Sequence, residues 1–126
     1  ELPEGAIVSV DGEEMVEARW VRPEDAVAEH QAGKLRLPPP TVVSLIDLSQ
    51  HGSVDAAVAT ARCRIPPYFF PKVCSDDPED VVMLYPGDAG YESGNRSVEG
   101  ARHRAMWVDG VITYRRDFSF PDRDSL

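Results

Sequence analysis

A chain of 126 residues suits one domain with one core, and an apolar fraction of 42% beside eleven prolines points to a sizeable share of ordered loop. Twenty-two acidic against thirteen basic side chains leave a formal charge of −9, a surface that repels phosphate backbones and anionic headgroups and so argues against nucleic-acid and membrane-surface binding. A small anionic ligand stays open, because a local basic cluster or a bound cation reverses the field at one site.

In chain order, Ala6–Val10 is a short apolar run ending in the turn-like Asp11-Gly12. Glu14–Val21 alternates, with Val16, Ala18 and Trp20 on one side and Glu17 and Arg19 on the other, which predicts a half-buried strand. Pro23 then opens a helix over PEDAVAEHQA, Glu24 and Asp25 lie against the positive end of its dipole, and Gly33 stops it. The prolines of LRLPPPT predict a stiff extended connector. Thr41 is placed as the cap of a helix over TVVSLIDLSQ, with Val42, Leu45 and Ile46 on its apolar side and Gly52 ending it. Ser53 caps the next helix, in which Val54, Ala57, Val58, Ala61 and Ile65 form an amphipathic stripe.

Pro66-Pro67 closes the helical section. YFFPKV reads as extended, VVMLYPGD as a short strand ending in a Pro-Gly turn, and GYESGNRSVEGA as loop. RHRAMWVDGVITYRR predicts a hairpin around a type I′ turn at Asp109-Gly110. Residues 117–126 read as a loosely attached tail beyond a domain of residues 1–116.

No GxGxxG, P-loop, HExxH, GxSxG or CxxC pattern occurs, which removes the chemistries those motifs carry. His30, His51 and His103 fall on separate elements without paired spacing and read as surface or capping residues. Cys63 and Cys74 also lack ligand spacing and read as buried thiols of a reducing, cytoplasmic setting. No apolar run approaches the roughly 18 residues that span a bilayer, and no leader is seen. The opening segment already reads as mid-domain sequence, so the chain is expected to be a piece of a longer protein.

Two charged stretches invite a functional reading. Glu13, Glu14 and Glu17 are oxygen donors of the kind Mg²⁺ takes, or the water-facing side of a strand edge, the second being preferred. Arg102, His103 and Arg104 with Arg115 and Arg116 are a phosphate anchor or charges that block strand-to-strand aggregation, again with the second preferred. Trp20 and Trp107 are assigned to the core. Tyr91, in a loop, offers a ring that could stack on a base, though nothing specifies it.

The order of these segments carries more than any one of them. VEARWVRPEDAVAEHQAGKLRLPPPT, then two helices, a proline-bounded strand ending LYPGD, and an RHR…DG hairpin resemble the part of Nudix hydrolases downstream of their catalytic motif, in the coenzyme A diphosphatase-like subgroup. The resemblance spans residues 1–116. It implies an α/β/α sandwich of which this chain holds the rear strands, helices and C-terminal hairpin. It also implies hydrolysis of a nucleoside- or coenzyme-A-type diphosphate with Mg²⁺ or Mn²⁺, and so a small-molecule substrate; a homodimer is compatible with it, and the charge already argues against a nucleic-acid or membrane partner.

The family's box, G-x5-E-x7-R-E-U-x-E-E-x-G-U, places the glutamates that hold the metals and activate water. It does not occur here. None of the nine glycines is followed six residues later by Glu, the one Glu-Glu pair runs into MVE, and there is no Arg-Glu dipeptide. The resemblance therefore implies that this chain alone is inactive and names no catalytic residue in it. Glu14 is left as one additional downstream metal ligand of the kind some members recruit. Two other readings stand beside it: a non-catalytic Nudix-like module that binds a ligand or protein, and an unrelated small α+β interaction domain. A structure lacking a mixed sheet flanked by helices would favour the last.

Overall fold

A computed structural model describes residues 2–15, 17–75 and 77–125. Three helices come first: α1 (Pro23–Gln31), α2 (Pro39–Ser49) and α3 (Val54–Cys63). Four strands follow: β1 (Lys72–Val73), β2 (Asp80–Leu84), β3 (His103–Val108) and β4 (Val111–Arg116), before a 3₁₀ turn at Arg123–Ser125. The strands make one antiparallel sheet in the order β1-β2-β3-β4. The class is therefore mixed helix and sheet, with no parallel pairing among the described residues.

Local chemistry explains where the helices start and stop. In α1, Pro23 spends no hydrogen bond in the first turn, where N–H groups lack intrahelical partners anyway. Gly33, at φ +73°, closes the helix: its N–H donates to the His30 carbonyl at 2.9 Å, and Lys34 N–H donates to Glu29, also at 2.9 Å. The same first-turn logic corrects the expectation for LRLPPPT. Pro39 and Pro40 are not in an extended connector; they open α2, with Pro38 as its cap, and Thr41 sits inside the helix. For α3 the expected cap is present, Ser53 Oγ accepting the Ala56 N–H at 3.1 Å. Its apolar stripe, however, is not buried: no residue of α3 is enclosed, and Val54 is 60% exposed.

The core lies where α1 and α2 pack on each other and on β4. Val42 from α2 meets Met83, Tyr85, Ala105 and Ile112 from the sheet side, with Leu37, Ile46, Phe69 and Tyr114 against them. Register builds this face directly, since Met83 stands opposite Ala105 and Ala105 opposite Tyr114. On the other face Val82, Leu84 and Arg104 are also buried. There the long loop after β2 folds back, Ala89 N–H donating to Ala101 O at 2.9 Å.

Two turns set the strand ends. Asp109 and Gly110 both take positive φ, +51° and +79°, which is the type I′ geometry that matches strand twist. After β2, Asp88 N–H donates to Tyr85 O at 3.0 Å across Pro86-Gly87. Gly87 is required there twice over: its φ is +97°, and a Cβ would stand 2.6 Å from the ring of Phe118.

Three further expectations are overturned. Glu14–Val21 forms no strand among its described residues, and those residues are exposed, with no neighbouring strand among the described residues to take their N–H and C=O groups; Val16 lies outside the described residues. Trp20 does not fill the core but is 81% exposed, and Trp107 is 41% exposed near the turn end of β3. Phe118 and Phe120 do not belong to a loose tail: both rings stack edge-on to His103, and Ile65 N–H reaches Pro121 O at 3.1 Å.

Candidate functional site

The N-terminal acids come out as solvent groups. Glu13, Glu14 and Glu17 are all exposed. The turn before them is held by Asp11, whose carboxylate accepts the N–H groups of Glu13 and Met15 at 3.0 Å each. Those two bonds, Met15 first, draw the Asp11 carboxyl below its ordinary range. Among the described residues no three His, Cys, Asp or Glu side chains gather as a ligand set. Mg²⁺ asks for an octahedral shell anchored by carboxylates. A single exposed Glu14 does not fit that demand, and no step is assigned through a metal on these residues.

The hairpin arginines are committed to protein partners. Arg104 is on an internal strand, so it blocks no edge; its Nε and Nη2 grip Asp88 at 2.8 Å each, and Nη1 donates to Arg96 O at 3.0 Å. Asp88 further accepts the backbone N–H groups of His103 at 2.8 Å and Gly90 at 2.9 Å. Burial alone would raise the Asp88 carboxyl, but Arg104 and these two amides overcome it and hold the group down to about 2. This carboxylate ties the long loop to the sheet. Arg102 donates to Val98 O, and Arg115 pairs with Asp117 at 2.8 Å. Of the four arginines, Arg115 best fits the edge-guarding reading, being exposed on edge strand β4.

Two histidines read from sequence as surface groups are enclosed instead. His30, 0% exposed, donates from Nδ1 to Leu35 O and accepts the Ile112 N–H at Nε2, each at 2.8 Å. His103, 1% exposed, sits among the rings of Phe69, Tyr85, Tyr114, Phe118 and Phe120. Its Nδ1–H donates to Pro86 O at 2.7 Å, and Nε2 accepts the Tyr114 hydroxyl at 2.8 Å. Burial, with the Arg116 charge acting the same way, lowers the His103 pKa and favours the neutral ring. Neither imidazole has a nitrogen left for a ligand. His51 is part-exposed.

The thiols also differ from expectation. Cys63 is exposed and Cys74 is half-buried; both are free, and Cys74 Sγ donates to Gly94 O at 2.8 Å. Tyr91 is not poised for a base: Lys72 Nζ covers its ring at 4.2 Å from the centroid, and its hydroxyl donates to Phe70 O at 2.9 Å.

A concavity of about 430 Å³ lies elsewhere, between α2, β4 and the segment after β4. Its apolar lining is aromatic and aliphatic, from Phe69, Phe120, Val43 and Ile46. Its polar groups are Arg64, Arg116, Asp47, Tyr114, Ser44 and Gln50. Arg64 donates to both Asp47 oxygens at 3.0 and 3.2 Å. Arg116 lies over the Phe120 ring at 4.0 Å and donates from Nε to Phe118 O at 2.9 Å. Of these residues the sequence reading singled out only Arg116 as a functional candidate; the F-S-F alternation at Phe118 and Phe120 was a signal for Phe120 alone.

No helix among the described residues is long and apolar enough to cross a membrane. No family model, curated protein or solved structure matches this chain.

Proposed function

We propose that the chain is the C-terminal portion of a Nudix-type hydrolase domain that cleaves a nucleoside- or coenzyme-A-type diphosphate. In this reading it supplies later strands, helices and part of the substrate wall, while the carboxylates for Mg²⁺ or Mn²⁺ lie upstream in the same protein. The order of segments motivates it, from the W-V-R-P entry into α1 through LYPGD to the closing hairpin.

One observation carries it. Ile7, Val8, Val10, Met15, Trp20 and Val21 form a strand-like sequence that stands exposed, Ile7 at 92%, without a partner strand among the described residues. Exposed apolar surface on this scale marks an interaction site. Covering Trp20 alone would contribute about 3 kcal/mol. Upstream strands of the same domain are the natural cover. Residues of this chain then carry no catalytic role, and Glu14 becomes a ligand only if upstream acids complete its site.

A second reading has its own support. The sheet is antiparallel throughout among the described residues, which favours a small α+β interaction domain unrelated to Nudix proteins; a Nudix-like module that binds without catalysis is the other alternative. Diphosphatase assays with Mg²⁺ on the product of the whole gene separate the readings. Turnover of coenzyme A, ADP-ribose or NADH supports the hydrolase; a whole gene product without the box and without turnover favours a binding module.

A further inference from the structure

We propose that the 430 Å³ cavity between α2 and β4 binds a small aromatic carboxylate. The inference is independent of the Nudix reading, since every group involved belongs to this chain. Its volume is in the range of small-molecule sites, and its lining sets apolar Phe69, Phe120, Val43 and Ile46 beside charged and hydroxyl groups.

Charge selects an anion. Arg64 is neutralised by Asp47, whereas Arg116 takes part in none of the ion pairs among the described residues. The lining therefore carries one positive charge in excess, within a protein whose formal charge is −9. Geometry selects a planar one. Phe120 occupies one face of the Arg116 guanidinium and Nε is bound to Phe118 O, which leaves the Nη groups, beside the Tyr114 hydroxyl, as the donors a ligand can use. Two parallel N–H groups match a carboxylate's two oxygens. Phe69, Phe120 and Tyr114 line the space beside it and suit an aromatic body, by edge-on or offset contact.

The test is titration of the protein with 2-naphthoate, its neutral isostere 2-naphthalenemethanol, and acetate, followed by amide and side-chain NMR shifts. Saturable naphthoate binding is expected, with shifts centred on Tyr114, Arg116 and Phe120. The neutral compound should bind about tenfold more weakly, the loss expected for one charge-assisted contact. Arg116→Gln should weaken naphthoate by a similar factor, and Asp47→Asn, which frees Arg64, should tighten it several-fold. The wild-type comparison does not depend on either variant folding. Equal affinity for naphthoate and the neutral compound would overturn the proposal, as would shifts centred elsewhere or no saturation below about 10 mM.

Discussion

The Ile112 backbone N–H donates to His30 Nε2 at 2.8 Å, joining residues 82 positions apart and closing α1 onto the sheet. Because Nδ1 of the same ring donates to Leu35 O, the imidazole bridges helix end, connector and edge strand at once. β4 is the outer strand, so the Ile112 N–H would otherwise be an unpaired edge donor in a buried place. His30→Ala should remove both bonds and leave a cavity, costing about 2–4 kcal/mol. Urea unfolding measures it. A cost below about 0.5 kcal/mol, typical of a surface substitution, would show that the bridge does not contribute.

Acid should act through Asp88. Its carboxyl is depressed from 3.8 to about 2 in the folded chain. A depressed group adds stability above its unfolded pKa and loses it as pH falls through the folded value. The contribution is then full above about pH 5, and about 2 kcal/mol disappears toward pH 2. Asp88→Asn should flatten that part of the stability–pH curve while lowering stability at neutral pH, since Arg104 is left without its counter-charge. Denaturation midpoints across pH 2–7 read out both effects.

Trp20 tests the proposed cover by upstream strands. In Trp107→Phe, the remaining indole of the 126-residue chain should emit at long wavelength and be quenched readily by acrylamide, as an 81% exposed ring requires. In the whole gene product the same variant should shift to the blue and resist quenching. An indole equally exposed in both contexts contradicts the upstream-strand reading.

Self-association of the isolated chain follows from the same surface. The N-terminal apolar residues and the uncovered Val54 and Val58 of α3 should make elution volume depend on concentration. A sharp monomeric peak with cooperative melting would oppose this.

What was legible in the sequence was what short-range chemistry decides. Pro23 and Gly33 bounded α1, Ser53 capped α3, and Asp109-Gly110 turned the hairpin, each through contacts within a few residues. Burial was less legible. The alternation around Trp20 and the stripe on α3 have the period of buried elements, but period does not say whether a partner surface is present. His30 and His103 were missed because their partners, Ile112 and Pro86, are distant in the chain. The cavity shares that fault: Arg64, Tyr114 and Phe120 meet through tertiary packing, and no motif links them.

The most direct measurement of the central claim is Mg²⁺-dependent cleavage of coenzyme A, ADP-ribose and NADH, run in parallel on the 126-residue chain and on the whole gene product. The account predicts cleavage by the whole product and none above blank by the chain. Enzymatic turnover by the purified chain alone would contradict it, as would a whole product that carries the Nudix box, folds, and cleaves no diphosphate.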